Sequence, residues 1–248
     1  MNEKLRIDFL GKCPICGRYI GPPCVTEEEA GEVVRKHSKE KHGKEANNIQ
    51  LARVGLLEKH TIELHPIKTE GFILDIGGGG EGIIGKLMGR KVIAIDISSS
   101  ELEEARERET DKESLKIVMD ASDLKFLSES FDVATSFFAL MYIENDLHQK
   151  VFNEVNRVLK ENGRFLIWDV RIPERVKDAR GFTIPLEIIL PDEKVGTGYG
   201  VKWDKQDLEY FKGLATRTGF KVLGEWKKDE IFFLELLKHT SGATSNSG

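Results

Sequence analysis

Five short runs divide the middle of this 248-residue chain: Phe72–Leu74, Lys91–Asp96, Leu115–Met119, Phe131–Phe137 and Arg164–Val170. They read as strands. The first two, apolar throughout their interiors, read as strands buried on both faces. The segments between them have helical spacing. Ile83, Ile84, Leu87 and Met88 recur on one face, Ser98-Ser99-Ser100 caps a charged stretch from Glu101 to Glu109, and Leu147, Val151, Val155, Val158 and Leu159 form an apolar stripe that Asn162-Gly163 ends. Farther on, Asp204 is expected to cap a helix reaching Arg217, and Phe220–Trp226 with Ile231–Leu237 reads as a terminal hairpin. Regular alternation of strand and helix builds a sheet covered on both faces.

The flanks depart from this rhythm. Residues 11–43 are rich in Cys, His, Gly and Pro. Within them Gly21-Pro22-Pro23 reads as a turn, and Thr26-Glu27-Glu28-Glu29 opens a helix with a capping box that Gly43 stops. Residues 45–66 read as a linker plus a helix, packing through Ile49, Val54, Leu57 and Ile62. Between residues 171 and 203, Pro and Gly punctuate two short strands, Thr183–Leu190 and Tyr199–Trp203. Such an insertion is expected over the carboxyl edge of a parallel sheet, where substrate-selecting elements are built.

The chemistry concentrates at the first strand. Phe72-Ile73-Leu74-Asp75-Ile76 passes into Gly77-Gly78-Gly79-Gly80-Glu81-Gly82, and the second strand ends on Asp96, twenty-one residues after Asp75. Strand, glycine loop, helix, strand and acid form the layout in which a backbone approaches a nucleotide-like ligand while the second acid accepts from ribose hydroxyls. Gly77, Gly79 and Gly82 also satisfy G-x-G-x-x-G, so a nicotinamide dehydrogenase must be considered. Asp75 argues against it, because a pyrophosphate at that turn would meet a negative charge whereas an ammonium group would be attracted.

These residues resemble the class I S-adenosylmethionine (SAM)-dependent methyltransferases, whose first motif runs apolar-apolar-Asp/Glu-x-Gly-x-Gly-x-Gly. The chain supplies Asp75, Gly77 and Gly79, then departs with Glu81 at the third glycine's place and Gly82 one position later. Asp120-Ala121-Ser122-Asp123-Leu124 resembles the segment whose acid accepts from the adenine amine in that family, and Phe131–Phe137 resembles its next motif. The resemblance implies an α/β fold with a seven-stranded, mostly parallel, doubly wound sheet and a terminal antiparallel hairpin. It also implies SAM as cofactor, held by Asp75, Gly77, Gly79, Asp96, Asp120, Ala121 and Phe137. Tyr142 and His148, beyond the fourth strand, are the substrate-side candidates, and no catalytic base is identified.

Cys13-Pro14-Ile15-Cys16 is a knuckle-like turn, and His37 and His42 lie at the end of the following helix. Together they form a Cys₂His₂ set suited to a structural zinc ion, with Cys24 as an alternative ligand. A five-residue step puts two side chains about 140° apart on a helix, so the helix is expected to loosen there. The domains expected are a zinc-binding module over 1–48, a methyltransferase domain over 49–240 in which 171–203 is an insertion or lid over the active-site edge or else a dimerisation ribbon, and a disordered tail over 241–248.

The net charge of −5 supplies no overall basic field for nucleic acid. The start, Met1-Asn2-Glu3-Lys4, is charged where a secretory signal would be apolar, and no membrane-spanning run is visible, so a cytoplasmic protein is expected. The preferred acceptor is a small molecule. There is no Asn/Asp-Pro-Pro-Tyr/Phe string after the fourth strand for an exocyclic base amine, and no core cysteine for a pyrimidine carbon. RNA is the alternative acceptor, because an amino-terminal Cys-x-x-Cys module on this core resembles bacterial rRNA guanine methyltransferases. A non-catalytic SAM-binding protein is the remaining reading.

Overall fold

The computed structural model describes residues 6–109, 113–172, 179–202 and 205–239. It begins with β1 (Arg6–Lys12), β2 (Tyr19–Cys24), α1 (Glu27–His42), β3 (Gln50–Leu56) and β4 (His60–Glu63). There follow β5 (Ile73–Ile76), α2 (Ile83–Met88), β6 (Val92–Asp96), α3 (Ser99–Arg108), β7 (Leu115–Val118), β8 (Phe131–Phe137), α4 (Asn145–Val158) and β9 (Leu159–Val170). The chain closes with β10 (Gly181–Ile189), β11 (Lys194–Lys202), α5 (Leu208–Arg217), β12 (Phe220–Lys228) and β13 (Ile231–Lys238). It divides into two units, Met1–Glu63 with Pro173–Trp203 and Leu64–Ile172 with Asp204–Gly248. Among the described residues no helix is long and apolar enough to cross a membrane.

The second unit is an α/β fold with a mixed sheet in the order β12-β13-β9-β8-β5-β6-β7. Strands β5 to β9 pair in parallel, and β13 and β12 add on antiparallel. The order reverses between β5 and β8, which makes the carboxyl ends of those strands the natural crevice. On one face Val151, Phe152 and Val155 of α4 and Phe211 and Leu214 of α5 pack with Leu74, Ile76, Phe165 and Phe232 of the sheet. Helices α2 and α3 pack on β6 and β7 and contribute nothing to that cluster. The turn at Asn162-Gly163 does not end α4, which stops at Val158. Leu159 already pairs with Phe131 in the sheet, and Asn162 is left-handed within β9. Helix α5 is capped by Asp207, whose side chain accepts from the Tyr210 N–H. The expected cap Asp204 and the tail 241–248 lie outside the described residues.

The first unit differs most from expectation. Its sheet runs β11-β10-β3-β1-β2, with β4 also on β10. Residues 50–63 are therefore strands where a helix was expected, and the boundary expected at 48/49 falls instead after Glu63. The cause is pairing. β3 is antiparallel to β1 from Arg6↔Leu56 to Lys12↔Gln50, and β10 runs parallel to both β3 and β4. The charged start concealed β1, because its inward Asp8 is fully buried and accepts from Arg6 Nε at 2.7 Å and Nη2 at 2.6 Å. Gly21-Pro22-Pro23 is part of β2, not a turn. β2 is the edge strand, where proline's missing donor costs no ladder bond.

Helix α1 forms as its caps dictate. Thr26 accepts from the Glu29 N–H, Glu29 returns the bond to the Thr26 N–H, and Gly43 closes the helix at φ 63°. Replacing Thr26 with Ala is expected to destabilise the first unit by about 1 kcal/mol and Thr26→Ser by much less. Native-state hydrogen exchange of the α1 amides reads this directly.

Candidate active site

The site grows from the switch point. β5 ends in Asp75-Ile76, and the glycine loop must turn sharply to reach α2. Gly77 takes φ 69°, a conformation that side chains resist, and a Cβ there would collide with Ala139. A Cβ on Gly78 would stand 2.5 Å from Asp75 Oδ2 and 2.7 Å from the Ala94 Cβ. The Gly77 and Gly78 N–H groups both donate to the Ile95 carbonyl, at 2.8 and 3.0 Å, which ties the loop to β6. Glu81, the departure from the motif, is drawn to Arg108 of α3 by a salt bridge.

Two carboxyls flank this loop. Asp75 lies beneath it, almost fully buried, and its Oδ1 accepts from the Thr135 hydroxyl at 2.7 Å. Burial raises its pKa from 3.8 to about 7, against the lowering pull of the Thr135 bond and of Lys116. Asp96, at the end of β6, accepts from the Ser98 N–H at 2.8 Å and from the backbone of Gly79 and Ile97. Burial still raises its pKa, though less far. Ile97, next in the chain, is 77% exposed, an apolar surface beside an acid. No pattern in the sequence distinguished it from an ordinary strand-end residue.

Asp120 follows β7, whose neighbour Met119 donates its N–H to the Asp96 carbonyl at 3.0 Å. Its own Oδ1 accepts from the Ser122 N–H, and Ala121 beside it is half-buried. Phe137 closes β8 with its ring packed against Phe138 and Trp168. The structure thus gathers Asp75, Gly77, Gly79 and Asp96 around one loop, sets Asp120 and Ala121 at the adjacent strand end, and puts Phe137 at the end of β8.

Of the substrate-side candidates, Tyr142 is exposed in the turn after β8. His148 is not substrate-facing. It is fully buried, with Nε2 on the Leu140 carbonyl and Nδ1 on the Tyr210 hydroxyl, both at 3.0 Å, so it fastens that turn to α4 and α5. Asp169, which was assigned no role, is the second buried carboxyl here. Its Oδ2 accepts from the Met141 N–H at 3.3 Å and its Oδ1 from Gln206 Nε2 at 2.8 Å. Burial raises it to about 7 despite those bonds.

In the first unit, the ligand atoms of Cys13, Cys16, His37 and His42 lie within 4.8 Å of one another. α1 stays helical through His42 without loosening. Cys24 is outside the group, and its thiol points to the Pro22 carbonyl.

Residues 74–167 match the family model described as a methyltransferase domain. That stretch of the chain is similar to known methyltransferase domains. A Caenorhabditis elegans sterol 4-C-methyltransferase is 32% identical over 120 residues, 46% of this chain and 35% of that protein. A ubiquinone/menaquinone biosynthesis C-methyltransferase of Teredinibacter turnerae is 33% identical over 128 residues, 48% of this chain and 51% of that protein. The chain thus spans about half or less of the length of these curated relatives. The solved structure of a SAM-dependent methyltransferase from Methanosarcina mazei superposes with a TM-score of 0.52 at 20% identity, covering 72% of this chain and 99% of that one, a likeness of fold.

The two carboxyls of the second unit raised to about 7 contribute to its pH dependence. Unfolded aspartates lose their protons near pH 4. Between there and about 7 the native state holds more protons, so the stability contributed is full at the acid end and lost as pH rises through 7. The melting temperature of the ligand-free protein is expected to fall by several degrees across that window, and Asp75→Asn to flatten the decline. Calorimetric scans at a series of pH values check this.

Proposed function

We propose that the protein is a SAM-dependent methyltransferase that transfers a methyl group to carbon of a small, largely apolar acceptor. The observation that carries the reading is the pair of carboxyls bracketing the glycine loop at the switch point of a methyltransferase domain. Asp75 would face the cofactor's ammonium group and Asp96 its ribose hydroxyls. Ile97 offers an apolar face for the adenine ring. Asp120 and the backbone at Ala121 would address the adenine edge, and Phe137 would border the reacting end. The fit is supported by a loop closed to side chains at Gly77 and Gly78 and by a carboxyl on each of its sides.

When bound, SAM supplies an activated methyl group on a sulfonium, displaced in line by the acceptor. The protein then needs chiefly to align the nucleophile and exclude water. An acceptor with an enol or phenol beside the reacting carbon carries its own electron push, so a strong protein base is not required. Asp169 and Gln206 fix the Met141 backbone, and His148 fixes Leu140, so the turn bearing Tyr142 is held from two sides. The relatives named for sterol and quinone carbon methylation favour this class of acceptor. They lend no support to RNA, and the methyltransferase domain displaces the nicotinamide reading.

The test is transfer of labelled methyl from SAM into an extract of the source cells, followed by solvent partition. Label is expected in the organic, low-mass fraction and to be indifferent to ribonuclease. Label confined to RNA, or binding of NAD in place of SAM, would overturn the reading. Two further outcomes follow from the site. Asp96→Ala is expected to weaken SAM binding by at least about tenfold, the loss of one or two charge-assisted bonds. Affinity for SAM is expected to rise with pH through about 7 as Asp75 ionises, and Asp75→Asn to abolish that rise. Titration calorimetry measures both.

A further inference from the structure

We propose that Cys13, Cys16, His37 and His42 bind one zinc ion in a closed, tetrahedral, structural site that locks the β1–β2 turn to the carboxyl end of α1. The four ligand atoms converge from two elements, the β1–β2 turn and α1. Cys16 Sγ stands 3.5 Å from His37 Nε2, and all four atoms lie within 4.8 Å of one another. With zinc bonds of about 2.0–2.3 Å, donor atoms in a tetrahedron are about 3.3–3.8 Å apart. The Cys16–His37 pair is already at that separation, and no pair exceeds it by more than about 1.5 Å.

The backbone is built for the purpose. The Cys13 N–H donates to the Arg18 carbonyl at 2.8 Å and the Gly17 N–H to the Cys13 carbonyl at 2.9 Å, a tight turn that aims both thiols to one side. On the helix, the rings of His37 and His42 stand edge to face with centroids 5.1 Å apart. The Nε2 of His42 is buried with no hydrogen-bond partner, a state that disfavours the fold unless something is bound there. Two thiolates with two imidazoles select zinc over calcium or magnesium, which prefer oxygen. Four protein donors leave no open position for water, so the ion would be structural and not catalytic.

The site also explains an apolar deficit. Among the described residues the buried cluster around it is Cys13, Val34 and Ala46, with Ile20 and Ile49 half-buried against them. So small a core gains most from a metal that couples binding to folding. Tyr19, the first residue of β2 and six positions beyond Cys13, accepts from Arg180 Nη1 at 2.6 Å, and the guanidinium lies 5.1 Å from the ring centroid. The metal would therefore steady the strand on which the start of the β10–β11 hairpin is anchored.

The experiment uses the whole 248-residue chain purified under reducing conditions. Elemental analysis is expected to find one zinc per chain. Cobalt exchanged for that zinc is expected to give the visible bands of a tetrahedral ion with thiolate charge transfer. Cys16→Ser and His42→Ala are each expected to lose stoichiometric zinc, while Cys24→Ser retains it. Chelation of the wild type is expected to lower the melting temperature of the first unit. Metal-free protein that takes up neither zinc nor cobalt, an octahedral cobalt spectrum, or zinc retained in the Cys16→Ser/His42→Ala double variant would overturn the proposal. A Cys13–Cys16 disulfide in the reduced preparation, detected by thiol titration and mass, would overturn it equally. Should the variants fail to fold, the cobalt spectrum and stoichiometry of the wild type decide alone.

Discussion

A carboxyl group placed under a glycine loop, inside the sheet, governs the arrangement of the second unit. Asp75 leaves water at the end of the central strand, and its compensation comes first from the hydroxyl of Thr135, its partner across β5 and β8, and then from the charge of Lys116. The loop above must then be glycine, because Oδ2 occupies the space a side chain at position 78 would need. With the loop held to Ile95, the end of β6 brings Asp96 to the other side of the same backbone. Burial, outweighing the Thr135 bond and Lys116, is what raises the Asp75 carboxyl to about 7.

The same edge carries a second buried acid. Asp169 takes its bonds from backbone and from Gln206, and so shapes the turn after β8 without meeting solvent. His148 acts alike from the other side. Both are polar groups that fix a backbone, and both would be mistaken for reagents if composition alone were consulted.

What the sequence disclosed and what it concealed follow from range. The motif from Asp75 to Asp96 and the strand Phe131–Phe137 were legible because strand, loop and helix succeed one another locally, with the acids at strand ends. The capping box at Thr26 was legible for the same reason. β1, β3 and β4 were not, because their partners are distant in the chain and their apolar positions are interrupted by Asp8 and Gly55. Gly21-Pro22-Pro23 misled because only the position of β2 at a sheet edge makes prolines acceptable there. His148 misled because a histidine's burial is set by α5, where Tyr210, 62 residues onward, meets it. Ile97 passed unnoticed because an exposed apolar residue has no signature until the acid beside it is seen at the site.

The measurement closest to the central claim is the titration of Asp75 itself, followed by carbon-13 NMR of the labelled carboxyl with and without S-adenosylhomocysteine, which keeps the ammonium group of the cofactor. In the ligand-free protein the resonance should titrate at about 7. With the ligand bound it should remain ionised well below that. An Asp75 that titrates at its ordinary value in the free protein, or whose titration the ligand leaves unmoved, would contradict the account.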